Sequence, residues 1–127
     1  MQATHLFEYA VIRIVPQVER EEYFNAGVIL YCASQQFLQM RFEVSAAKLA
    51  AYGGELSQTI LEARLASMAE ICAGKQNGSS ISSLPLASRF RWLAATRSTS
   101  IQVSPIHPGL CEHPQQALDK LFTALVL

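Results

Sequence analysis

The chain has 127 residues, half of them hydrophobic and 16% charged, which is enough apolar content for a core and too little charge for intrinsic disorder. Ten basic residues balance ten acidic ones, so no overall field draws the chain to nucleic acid or anionic lipid. No apolar run reaches the roughly 20 residues of a membrane span, and the first residues lack the basic and apolar regions of a secretory signal, so a cytoplasmic protein is expected.

Leu6 to Val15 is rich in β-branched and aromatic residues and reads as a strand that Pro16 ends, because proline donates no ladder hydrogen bond. Polar Gln17 to Glu22 reads as a loop or a short helical turn. A second apolar run, Tyr23 to Ala33, carries Gly27, which predicts a bulge or a close backbone approach. After the polar turn Ser34-Gln35-Gln36, Phe37 to Glu43 alternates, with Leu38, Met40, Phe42 and Val44 on one apolar face. These three strands predict an antiparallel meander.

The period then changes. Ser45 is a good N-cap, Ala46 to Tyr52 favours helix, and Gly53-Gly54 fits a stop. A longer helix is expected from Leu56 to Ala73, with Ile60, Leu61, Leu65, Met68 and Cys72 on its apolar stripe. Gly74 to Ser83 is loop-like, and Pro85 opens a short helix carrying Leu86, Phe90 and Leu93. Thr99 to Ser104 is β-like, the stretch with Pro105, Pro108 and Gly109 reads as irregular, and Pro114 opens a last helix with Leu118, Leu121, Phe122 and Leu125 on one face. The expected fold is a single α+β domain over residues 1–127: an antiparallel sheet of about four strands covered on one face by three to four helices.

Three places offer chemistry. Arg13 lies in an apolar strand, where a guanidinium needs water, a carboxylate or an anionic ligand. Its alternatives are a grip on phosphate or carboxylate, an ion pair with Glu8, Glu19 or Glu43, or a solvent-facing position. Asn25, ahead of Ala26-Gly27, is expected to serve a local turn or bulge through its amide. The second place is Arg89, Arg91 and Arg97 followed by Ser98-Thr99-Ser100, with Phe90 and Trp92 among them. It is either a phosphate grip with a stacking ring, or a solvated helix face with two core aromatics. The third is His107, Cys111 and His113. Their spacing does not fit a zinc site, so no metal is expected. His107 is a candidate general acid or base, or a loop histidine bonded to backbone. The scattered cysteines Cys32, Cys72 and Cys111 point to reduced thiols rather than a disulfide scaffold. The chain lacks a glycine-rich phosphate loop and a nucleophile elbow, and Asp119 is its single aspartate. No cofactor is expected.

The stretch Phe7 to Pro16 followed by Val18 to Leu30 resembles the opening of a bacterial family known as domain of unknown function 3037. Arg89 to Leu93, Arg97-Ser98-Thr99 and Ser104 to Leu110 resemble that family's second signature. The matching residues are Arg13, Glu19, Arg20, Asn25, Gly27, Trp92, Arg97, Ser98, His107 and Gly109, and the resemblance implies that any common pocket is built from these. It also implies an accessory role as partner of a HipA-like protein kinase, whose gene sometimes neighbours the family's genes. The high apolar fraction, the low charge and the lack of a standard catalytic motif make the leading expectation a non-enzymatic protein-interaction domain, docking on another protein or forming a homodimer. The alternative is a binder or phosphodiester-processing enzyme for a phosphate-bearing ligand, nucleotide or RNA, using Arg13, Asn25, Arg97, Ser98 and His107. That alternative requires the side-chain tips of Arg13, Arg97, Ser98 and His107 to converge within about 12 Å, the reach of one small anion.

Overall fold

The computed structural model describes residues 3–75, 80–95, 98 and 100–127. Strands β1 (His5–Ile14), β2 (Phe24–Cys32) and β3 (Phe37–Phe42) precede helices α1 (Ala46–Tyr52), α2 (Gln58–Ala73) and α3 (Leu86–Ala94). Strands β4 (Ile101–Val103) and β5 (His107–Cys111) then lead into helix α4 (Pro114–Leu125). The sheet is antiparallel with order β3-β2-β1, and β4 and β5 share the other edge of β1. The α+β class and the meander are as the sequence predicts. The Ser45 side chain caps α1 by accepting from Lys48 N–H, and Ser57 caps α2 in the same way.

The two halves of β1's outer edge are joined by Ser104. The Val11 amide donates to Ser104 Oγ at 2.8 Å, and Ser104 N–H donates back to Val11 O. A buried hydroxyl thus replaces a ladder bond where the edge strand is interrupted.

The segment around Pro108 and Gly109, expected to be irregular, is strand β5. Since Val11 donates toward β4, alternation turns the amides of Phe7 and Tyr9 toward β5 and that of Glu8 toward β2. Pro108 stands opposite Glu8, where a strand's N–H would point outward, so the missing donor costs the ladder nothing. Gly109 stands opposite Phe7, whose ring covers it so closely that an added Cβ would come within 2.3 Å.

The helix coverage differs from expectation. Ala10, Ile12, Ile14, Ala26 and Ile29 pack with α2 and α3, whereas Phe7, Val28, Leu30 and Cys32 pack with Leu118, Phe122 and Val126. Neighbours on one strand point to opposite faces, so α4 covers the face opposite α1–α3. The run Val28-Ile29-Leu30 is apolar because both sides are buried. On α2, Ile60 is 56% exposed while Ile71 is buried. Both lie on one flank of the helix, and α3 meets α2 at its C-terminal end, where Arg89 touches Gly74.

Replacing Ser104 by Ala leaves the buried Val11 amide unpaired and should cost about 1–3 kcal/mol, read as a lower urea midpoint at unchanged slope.

Candidate functional site

The site grows from an irregularity in the β1–β2 ladder. Ile12 pairs with Gly27, but the next pair is Arg13 with Asn25, so Ala26 is the extra residue of a bulge. Glycine is required beside it, because a Cβ on Gly27 would sit 2.8 Å from Arg41 O. The expected bulge is therefore present, and it aligns Arg13 and Asn25 as direct cross-strand neighbours.

The Asn25 amide serves neither the local turn nor the bulge that the sequence implied. Its Nδ2 donates to Leu125 O at 3.0 Å, and Lys48 Nζ donates to Val126 O at 3.1 Å. Two donors from distant parts of the chain thus satisfy carbonyls at the C-terminus of α4, where the helix dipole favours a cation. This contact also places Asn25 and its neighbour Arg13 on the α4 side of the sheet.

Arg13 is half-buried. Its guanidinium lies over the Tyr23 ring, 4.3 Å from the centroid, and its Nε is buried with no hydrogen-bond partner. The three acids weighed as partners do not pair with it: among the described residues Arg13 forms no ion pair. Glu8 is held by Arg91 through bonds of 2.8 and 3.0 Å, which keep that guanidinium more firmly protonated. Tyr23 itself is 44% exposed. The result is a cation on an aromatic plate, open to solvent on one side.

The other candidates scatter. Arg97 and Thr99 lie outside the described residues. Ser98 Oγ accepts from Ile101 N–H at 2.8 Å and donates to Ile101 O at 3.1 Å, so it locks the turn into β4. Ser100 Oγ accepts from Arg64. Arg89 donates to Ser82 O, and Arg91 is taken by Glu8, so the basic cluster read in the sequence is split between separate partners. Phe90 is core, but Trp92 is 47% exposed.

His107 pairs with Tyr9, their rings 5.4 Å apart. Tyr9 and Arg13 share a face but are four residues apart on β1, about 13 Å at strand rise. The register thus brings His107 to Tyr9, while Arg13 leans on Tyr23. Cys111 is also four positions from His107 on β5, too far for a thiol–imidazole pair, and burial together with the nearby Cys32 thiol pushes its pKa up. Among the described residues no three of His, Cys, Asp and Glu gather as metal ligands, and no helix is long and apolar enough to cross a membrane.

The whole pattern coincides with a family model described as protein of unknown function (DUF3037), matched over residues 9–126. The chain belongs to the DUF3037 family. No curated protein and no solved structure matches it. The match begins at Tyr9 and spans the bulge, Arg13, Tyr23 and both helical faces. Tyr23 was the residue that sequence reading missed as a site member. Its signal was an aromatic two positions before Asn25, which an uninterrupted pairing would not have brought to Arg13.

One thiol has a clear acid–base consequence. Burial pushes Cys72 from 9.0 up to about 12. The folded state keeps a proton that the unfolded chain releases near pH 9, so this stabilisation is complete below pH 9 and fades as pH rises toward 12. The urea midpoint of the native protein should therefore fall more steeply between about pH 9 and 11 than that of Cys72→Ala.

Proposed function

We propose that the protein is a non-enzymatic interaction domain of the bacterial cytoplasm that docks an acidic segment of a partner protein on Arg13 and Tyr23. The carrying observation is the guanidinium stacked on an exposed ring with no ion pair among the described residues. A half-buried cation in this state gains most from an anion brought by something else, because the pair forms in a partly dehydrated place. The stack holds the fork in one plane and lowers the entropy of gripping a carboxylate. Asn25 fixes the platform to α4 rather than touching the ligand.

The enzymatic alternative draws less support. His107 stands beside Tyr9 and away from Arg13, and Ser98 spends its hydroxyl on Ile101. A HipA-like protein kinase is the partner that the family resemblance implies. An acidic surface loop on such a kinase is the feature this site would engage.

An NMR titration with a ten-residue glutamate–serine peptide should move the signals of Arg13, Tyr23 and Asn25. Arg13→Gln should weaken binding at least tenfold, or about 1.4 kcal/mol, with little change in thermal stability, and Arg13→Lys should recover only part. If inorganic phosphate alone saturates the site and also moves His107, the phosphate-ligand reading replaces this one. If neither probe moves Arg13, the platform is structural.

A further inference from the structure

A second opening lies on the opposite face, along the β3 edge of the sheet. A groove of about 390 Å³ runs between residues 36–40 and the C-terminal end of α2. Ala69, Cys72 and Ala73 form its helical wall, and Arg89 closes one end.

The backbone of this edge is unpaired. The Val11 amide points toward β4, so Ala10 and Ile12 bond toward β2 through Ile29 and Gly27. Val28 and Leu30 then bond toward β3, through Arg41 and Gln39. That leaves the amides and carbonyls of Leu38 and Met40 facing outward, into the groove. They make no backbone hydrogen bond with other described residues beyond the ladder. Leu38 is itself buried, so its outward groups find partners only in groove water or in an added strand.

The other edge of the sheet is blocked at one of its outward positions and keeps an outward amide at Leu110. At β5 the outward position opposite Glu8 is Pro108, which has no N–H to offer. β3 carries no proline. The helical wall consists of alanines and a small thiol that burial keeps neutral, so it leaves room for side chains. Arg89 supplies the charge. Among the described residues it forms no ion pair, its single hydrogen-bond acceptor is Ser82 O, and its Nε has no partner.

We infer that the groove between β3 and α2 binds an extended peptide of a partner protein, which adds a strand to the outward groups of Leu38 and Met40 and places an acidic side chain against Arg89. The five residues of the edge span about 17 Å at strand rise, room for a peptide of similar length. Main-chain bonds would give affinity, while apolar side chains against Ala69 and Ala73 and an acid at Arg89 would give specificity. The inference is independent of Arg13, which lies on the other face.

The probe is a six-residue peptide of alternating valine and threonine ending in glutamate, blocked at both termini. At saturation it should slow amide exchange of Leu38 and Met40 at least tenfold, and the glutamine-ended version should bind at least fivefold more weakly. Arg89→Gln should make the two peptides equal. Because Arg89 also bonds Ser82, the exposed wall position supplies a second variant: Ala73→Glu puts a carboxylate in the groove and should abolish binding with the fold intact. Exchange at Leu38 and Met40 unchanged by the peptide, or equal binding of both peptides to the native protein, would overturn the inference. Protection of those amides that rises with protein concentration and without peptide would also overturn it, by assigning the edge to a second copy of the chain.

Discussion

Strand β1 must satisfy backbone groups on both of its edges while sending side chains into two separate cores. Its inner edge is bonded to β2 over most of its length, and its outer edge is shared by two short strands with Ser104 bridging the gap. Ala10, Ile12 and Ile14 fill one core, and Phe7 belongs to the other. A strand paired on both edges and mostly buried on both faces has few places for a charge. Arg13 occupies one of them, near the end of the strand, where α4 runs out and the bulge widens the pairing.

That position explains why the arginines of this chain are not equivalent. Arg20 pairs with Glu22, Arg41 with Asp119 and Arg91 with Glu8. Arg64 rests on Ser100, and Arg89 on Ser82. Arg13 has the Tyr23 ring and, among the described residues, no ion pair. The neutral total charge therefore hides a local difference: three arginines hold a carboxylate, whereas Arg13 rests on an aromatic ring. Exposed ion pairs are worth at most about 1 kcal/mol each, so this distribution says more about recognition than about stability.

The two edges of the sheet express a similar contrast. The β5 edge carries a proline where an amide would otherwise reach outward, and the glycine beside it is covered by Phe7. The β3 edge keeps both donors and acceptors and lies beside a wall of small residues. The β5 edge is thus blocked at one outward position, opposite Glu8, whereas the β3 edge carries no such block.

Much of this was legible in the sequence, because it depends on local periods. β-branched and aromatic content marked β1, alternation marked β3, Ser45 and Gly53 bounded the first helix, Pro114 opened the last, and Gly27 announced the bulge. Each signal acts within a few residues, as hydrogen bonding and side-chain direction do. Other features depended on partners far along the chain. Asn25 reaches a carbonyl 100 residues away, Pro108 is tolerated because of which way Glu8 turns its amide, and Ile60 and Ile71 diverge because α3 covers one end of α2. The face taken by α4, the placing of Arg13 on Tyr23 without an ion pair among the described residues, and the pairing of His107 with Tyr9 were decided by tertiary packing. Charge and periodicity in one dimension name the groups that need partners, and only the folded distances determine which partners they get.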